Sequence, residues 1–286
     1  MNKKTAVIIV TYQPDIIQLE MTIRSIIFQT DCCFIINNGI ESFCFSKEYK
    51  NLSIINLGKN YGIAYAQNRG LELAKQYNAD FIILSDQDTI YPENYVQRNV
   101  AAYEELKGHK LAALVPVFYD LIKQKKEAIC VKKFSAKKNS SKKYIKTAQA
   151  IASGSFIVAS SLTAIGGMDE RLFIDWVDIE WCWRATAMGY EIFTITDLVI
   201  NHRLGDAVKK IFGRQFTTRS DIRYYYTLRN ACYLARYSKF LKWFEKLFMY
   251  NKVIKLIISI ILIKHNIQCI IIIRNAILDG FYGRLN

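Results

Sequence analysis

Phe81-Ile82-Ile83-Leu84-Ser85-Asp86-Gln87-Asp88-Thr89 runs from an unbroken apolar stretch straight into two carboxylates. Four apolar residues without polar alternation describe a strand covered on both faces, the pattern of a central strand in a parallel sheet. Open α/β sheets bind ligands in the crevice beyond the carboxyl ends of their strands, where Asp86 and Asp88 stand. Carboxylates two residues apart offer hard oxygen donors, which suit magnesium or manganese with positions left for substrate phosphates. A cation so held acts as a Lewis acid on a diphosphate leaving group. Asp-x-Asp-Thr is also ordinary composition for a solvated turn; its place at a strand end favours a site.

The flanking sequence supplies the rest of the sheet. Residues 5–10 form a first buried strand ending at Thr11-Tyr12, and Asp15 opens a helix to about Phe28, with Ile16, Leu19 and Ile23 on one face. Residues 33–36 form a second strand, stopped by the turn Asn37-Asn38-Gly39, and residues 52–57 a third. Gly58 and Gly62 bracket the loop Asn60-Tyr61-Gly62 before another helix. Gly62 permits close backbone approach, and the helix after it presents free amides to an anion. Pro92 suits the first turn of a further helix, and residues 111–115 a further strand. Strands alternating with helices predict βαβ units and an α/β fold with a mostly parallel central sheet.

Beyond this the pattern changes. Lysines recur with serine and asparagine between residues 123 and 146, which reads as a mobile loop or an edge hairpin. Helical spacing over 173–187 and two short strands at 192–195 and 198–200 lead to His202. A boundary falls near residues 205–213, after which the sequence predicts long helices rich in tyrosine and basic residues.

Composition narrows the partners. The 286-residue chain is 51% hydrophobic with a formal charge of +14, so it can bury a large core and calls for an anionic partner. Seven cysteines without paired spacing argue against a disulfide framework. No secretory signal is visible in the first residues, and the chain reads as cytoplasmic. The apolar run 253–273 is interrupted by Lys255, Lys264, His265, Asn266 and Gln268, so it is not expected to span a membrane. Aromatic and basic residues interleaved over 219–246 suit an anionic membrane surface; a helical pair packing on the preceding α/β part of the chain or on a twin subunit is the competing reading.

Two further groups carry chemistry. Asp175, Asp178 and Glu180 are flanked by Trp176, Trp181 and Trp183. Carboxylates among aromatics can accept a proton from an alcohol, and the rings suit stacking on sugars. The same carboxylates would also serve as helix caps. His202 follows a strand, where a lone histidine is more often structural than a ligand.

Taken in order, these residues resemble family 2 of the inverting glycosyltransferases, and most closely its rhamnosyltransferase branch. The matching pieces are Val10-Thr11-Tyr12, Asn60-x-Gly62-Ile63-Ala64 with Asn68-Arg69-Gly70, Asp86-Gln87-Asp88, Ser153-Gly154-Ser155 and Gly166-Gly167-Met168-Asp169-Glu170. The run from Phe173 to Glu180, His202-Arg203-Leu204-Gly205 and the tail Asp279-Gly280-Phe281-Tyr282-Gly283-Arg284 complete them. The resemblance implies the GT-A fold, a Rossmann-like sheet flanked by helices, over residues 1–210, with nucleotide-sugar binding in 1–117 and acceptor binding in 148–210. A C-terminal helical extension, 211–286, would serve membrane association or dimerisation.

The resemblance also implies roles. Asp88, with Asp86 and His202, would hold the divalent cation, and Asp178 would be the general base. Thr11, Tyr12, Asn60, Gly62, Asn68, Asp86 and Gln87 would line the donor pocket, and Asp175, Trp176 and Glu180 the acceptor side. Asn37 stands where the family usually carries an aspartate against the base. The donor implied is dTDP-L-rhamnose and the acceptor a lipid-linked polysaccharide, as in O-antigen or capsule assembly at the inner face of the cell membrane. A UDP-hexose transferase with the same machinery is the nearest alternative. A nucleic-acid-binding protein would explain the charge but not the carboxylates beside tryptophans.

Overall fold

The computed structural model describes residues 3–45, 49–120, 124–126, 129–133, 135–137, 142–202, 207–211, 214–264 and 267–285; at 120, 125, 129, 131, 136–137, 202, 207–211 and 214–217 it describes the backbone alone. The chain divides into two compact units, Met1–Asp169 with Asp178–Arg203, and Glu170–Val177 with Leu204–Asn286.

The first unit is built on one sheet. Its elements are β1 (Thr5–Thr11), α1 (Ile16–Ile26), β2 (Cys32–Asn37), β3 (Leu52–Asn56), α2 (Ile63–Gln76), β4 (Phe81–Asp86), α3 (Tyr95–Glu105) and β5 (Leu111–Asp120). These are followed by β6 (Lys125–Lys126), β7 (Ile129–Lys132), β8 (Ser135–Lys137), β9 (Tyr144–Thr147), β10 (Ser155–Val158), α4 (Ala159–Ile165), α5 (Val177–Ala187) and β11 (Glu191–His202). The strand order is β3-β2-β1-β4-β10-β5-β11-β9, with β6 on β5. Strands β3, β2, β1 and β4 pair in parallel, β5 and β11 pair in parallel with each other, and β10 is antiparallel to both β4 and β5. The expected mostly parallel sheet is therefore present, with β10 reversed in its middle and β9 and β6 reversed on β11 and β5.

Burial explains the central strands. Every residue of β4 but the last is buried, and Val7, Ile9, Ile35, Phe81, Ile83 and Phe156 belong to one core cluster. Asp15 caps α1 by accepting the amides of Ile17 and Gln18, and Leu19, Ile23 and Ile26 turn inward. Helix α2 approaches β1 at Gly70, where a Cβ would lie 2.3 Å from Cγ2 of the fully buried Ile8. Gly70→Val is expected to lower stability by about 1–3 kcal/mol, because the overlap outweighs a helix-propensity gain of a few tenths of a kcal/mol. Thermal unfolding checks this, and an unchanged midpoint would contradict tight helix–sheet packing here.

Three expectations need correction. The helix expected over 173–187 begins only at Val177, because Phe173, Asp175 and Trp176 have φ of 61°, 62° and 68°, a left-handed conformation no α-helix contains. The two short strands at 192–195 and 198–200 are one strand, β11, with a register shift against β5 between Thr194 and Val199. Pro92 precedes its helix, which starts at Tyr95. The lysine-rich stretch includes edge structure in its described parts: β7 and β8 pair with each other, and β9 joins β11.

The second unit holds β12 (Ala207–Ile211), β13 (Arg214–Thr218), α6 (Asp221–Tyr237), α7 (Trp243–Lys264) and α8 (Ile267–Tyr282). Strands β12 and β13 form a hairpin. Helix α6 is largely interior: Tyr224, Leu228, Ala231, Leu234 and even Arg229 are buried. It meets α8 closely at Gly280, where a Cβ would lie 2.3 Å from the Arg229 carbonyl oxygen. Among the described residues no helix is long and apolar enough to cross a membrane.

Candidate active site

The site grows from the register of β1 and β4. Val10 pairs with Asp86, so the two strands deliver Thr11-Tyr12 and Asp86-Gln87-Asp88 side by side at their carboxyl ends. Gln87 joins them: its Oε1 accepts the Tyr12 amide at 2.8 Å, and its carbonyl accepts the Thr22 hydroxyl at 3.0 Å. Asp86, Gln87 and Asp88 are each half-buried, whereas Thr11 is fully buried.

A loop that precedes β10 locks onto this turn. The Gly154 amide donates to the Leu84 carbonyl at 2.7 Å, and the Tyr95 hydroxyl donates to the Gly154 carbonyl. Gly154 has φ of 73°, and a Cβ there would lie 2.6 Å from Ile200 Cδ1, so this position suits only glycine. The Asp86 amide donates to Ser153 Oγ at 3.2 Å, and Ser153 Oγ lies 2.5 Å from Thr89 Oγ1.

The next residue back carries the link onward. The Ala152 amide donates to Asp178 Oδ2 at 3.1 Å, and the Ile179 amide donates to Asp178 Oδ1 at 2.8 Å. Ala152-Ser153 thus bridges the strand-end acidic turn and the carboxylate in the first turn of α5. Composition and periodicity gave no hint of this bridge; its signal was Ser153-Gly154-Ser155 as one piece of the resemblance. Asp178 also rims a narrow, mostly apolar pocket with Leu84, Ala152, Ser155, Met168 and Cys182. Burial, and then the Asp178 carboxylate, pushes the Cys182 thiol up to about 12, so it stays protonated and is no nucleophile.

Strand β11 brings its end to the same turn. Ile90 forms an isolated antiparallel bridge with Asn201, which sets the His202 backbone next to the segment that follows Asp88. The His202 side chain lies outside the described residues. Among the described residues no group of three histidine, cysteine or acidic side chains forms a cluster able to hold a metal. The donor set fits a hard divalent cation in its chemistry, two carboxylates on one turn beside a histidine backbone.

The other expected donor residues lie at the end of β2, in the loop before α2 and within α2 itself. Asn37 is buried; its Nδ2 donates to the Glu41 carbonyl and to Asn56 Oδ1, both at 2.8 Å, and its Oδ1 accepts the Gly39 amide at 3.1 Å. Asn60 Oδ1 accepts from Asn38 Nδ2 and from the Gly62 amide, each at 2.9 Å, which sets the entry to α2. Asn68 clasps the Met168 backbone at both ends, donating to its carbonyl at 3.0 Å and accepting its amide at 2.7 Å.

The expected acceptor residues divide between the units. Glu180 is buried and pairs with Arg184, from Nε at 3.0 Å and from Nη2 at 2.8 Å. Arg184 also donates to the carbonyls of Ile165 and Gly167. Its position one helical turn after Glu180 was the available sign of this pair. Glu180→Ala is expected to cost about 3 kcal/mol, because it strands a half-buried guanidinium. Denaturant unfolding measures this, and a loss below about 1 kcal/mol would free Glu180 for a ligand role.

In the second unit, Asp175 accepts from Arg219 and Arg223, each at 3.1 Å, and from the Thr227 hydroxyl at 2.6 Å. Asn230 donates to the carbonyls of Leu172, Ile174 and Asp175, which holds the left-handed segment on α6. The Trp176 indole N–H donates to the Thr227 carbonyl at 3.0 Å. Trp176, Trp181 and Trp183 are all buried, so they present no open ring face of the kind sugar stacking needs.

Comparison with known proteins agrees with this arrangement. The sequence profile of Glycosyl transferase family 2 matches residues 6–163. The chain is 32% identical over 247 residues to the Shigella flexneri "dTDP-rhamnosyl transferase RfbF", covering 82% of this chain and 81% of that protein. Among solved structures it resembles S. aureus TarS 1–349 in complex with UDP-GlcNAc, with TM-score 0.60 and 13% identity over 99% of this chain and 82% of that one. It also resembles GalNAc-T7 with UDP, GalNAc and Mn2+, with TM-score 0.56 and 12% identity over 88% of this chain. It spans about half of that protein, 54%. These structural likenesses speak for the fold alone, the expected GT-A arrangement.

Proposed function

The chain belongs to glycosyl transferase family 2, and from that premise we propose that it transfers rhamnose, with inversion, from dTDP-L-rhamnose to a lipid-linked saccharide. That it is a glycosyltransferase follows from the family. The choice of donor draws on its likeness to a dTDP-rhamnosyl transferase. The observation that carries the chemical reading is the Ala152-Ser153 bridge, which ties Asp86 and Asp178 to one rigid loop.

Asp178 serves as general base in this reading. The amides of Ala152 and Ile179 fix its carboxylate, which takes the proton from the acceptor hydroxyl as that oxygen attacks the anomeric carbon. The new bond joins oxygen to the anomeric carbon, the bond to the diphosphate breaks on the opposite face, and the nucleoside diphosphate leaves with its electron pair. Asp86 and Asp88, with His202, would hold a magnesium or manganese ion; when bound, such an ion neutralises charge on the departing diphosphate. Tyr12 and Gln87 form the floor on which the nucleotide lies, with the buried Thr11 beneath them and the α2 N-terminus at Gly62 offering amides to phosphate. Asn37 shapes the turn beneath the base, since its amide is already engaged, and Asn68 holds the Met168 turn. Glu180 braces α5, the helix that carries Asp178, through its ion pair with Arg184, and Asp175 holds its own turn in the second unit through Arg219 and Arg223.

Incubation with a panel of nucleotide sugars, following slow donor hydrolysis, tests the reading. Hydrolysis of dTDP-L-rhamnose above UDP-hexoses is the expected result; preference for a UDP-hexose would replace the donor, and binding of single-stranded nucleic acid alone would sink the enzyme reading.

A further inference from the structure

We propose that α7 lies flat in the headgroup region of an anionic membrane, buried along the face it turns away from its own unit. Met249, Val253, Ile260 and Ile263 point inward on this helix. The opposite face should then be polar, yet Trp243, Leu247, Tyr250, Ile254, Ile258 and Ile261 are all exposed there, Trp243 at 76% and Ile254 at 54%. At 3.6 residues per turn these six fall on one stripe along the whole helix. So long an exposed apolar stripe marks an interaction surface.

Charge selects the occupant. Lys246 and Lys255 stand roughly a quarter turn round from the stripe, one on each flank. Lys255 is exposed and long enough to reach up to headgroups, whereas Lys246 is half-buried and donates to the Arg236 carbonyl at 3.1 Å, its charge still adding to that flank. Glu245 is the one acidic residue of α7, and it falls on the side away from the stripe. Two copies paired stripe to stripe would bring lysine flanks together without acidic partners, which disfavours self-association. An anionic bilayer answers both features, and the exposed Trp243 and Tyr250 suit its interface. This moves the membrane face expected over 219–246 from α6, which buries Tyr224 and Arg229 and half-buries Arg223, Tyr225, Tyr226 and Tyr233, onto α7. The inference rests on the proposed function only in that a lipid-linked acceptor gives the surface its purpose.

The test uses the full chain with vesicles of phosphatidylcholine, with or without about 30% phosphatidylglycerol. Trp176, Trp181 and Trp183 are buried, so a blue shift of tryptophan emission reports Trp243, the fourth tryptophan. The expected result is sedimentation and a blue shift with anionic vesicles, both reduced about tenfold or more by Leu247→Glu/Ile254→Glu/Ile258→Glu. Lys246→Gln/Lys255→Gln, which leaves the apolar stripe intact, should lose about tenfold or more on anionic vesicles only. Nucleotide binding in vesicle-free buffer shows that each variant is folded, and donor hydrolysis there tests the proposed function separately. No vesicle binding by the wild type, or unchanged binding by both variants, overturns the proposal. So does a wild-type dimer that the glutamate variant dissociates, which would assign the stripe to a second copy.

Discussion

Asp178→Asn is expected to lower turnover by about 10²–10⁴-fold while donor affinity stays within a few-fold. The substitution keeps the size of the side chain and removes its capacity to take a proton. It does not keep every hydrogen bond: Asp178 accepts one amide on each oxygen, from Ala152 and from Ile179, and an asparagine has only one acceptor oxygen for the two. A modest fall in stability, about 1 kcal/mol, should therefore accompany the loss of turnover. The decisive comparison is between kcat and nucleotide binding in the same protein. Turnover lost with binding retained assigns the proton to Asp178. Binding and melting temperature lost together would make it a cap for the start of α5, and the base would have to be sought elsewhere.

How much of this was legible in the sequence depended on the range of the interaction. The fourth strand was plain because burial on both faces leaves an unbroken apolar run, and its end fixed the address of Asp86 and Asp88. The helix at 173–187 was misread because apolar spacing says nothing about φ. The left-handed turn at Phe173, Asp175 and Trp176 is held by Arg219, Arg223, Thr227 and Asn230, more than 40 residues away. Strand β11 was split in two because Thr196 and Asp197 interrupt its apolar pattern, where the register against β5 shifts. The tryptophans were expected on a sugar and are in the core; three rings in one short segment are compatible with either, and only burial decides. The link through Ala152 and Ser153 joins residues 67 and 26 positions apart, beyond the reach of any local pattern.

Asp88→Asn is expected to weaken cation-dependent nucleotide binding by about 10²-fold or more. The reasoning starts from the small donor set. Asp86 and Asp88 are the two carboxylates on the turn, and no third histidine, cysteine or acidic side chain joins them in a cluster among the described residues. A hard dication held by two carboxylates and a histidine loses a formal negative charge as well as a ligand when one carboxylate becomes an amide. Ser153→Ala should act in the same direction but more weakly, since Ser153 touches the backbone of Asp86 and the hydroxyl of Thr89. Calorimetric titration of dTDP with and without manganese separates the two effects without requiring turnover. Asp88→Asn should bind dTDP about equally in both conditions, whereas the wild type should bind far more tightly with manganese. Equal manganese dependence in the two proteins would return Asp86-Gln87-Asp88 to a solvated acidic turn and move the cation elsewhere. A loss confined to Asp88 and absent from Asp86→Asn would narrow the set further. Asp88 would then hold the cation with the histidine that β11 delivers, and Asp86 would answer to the nucleotide.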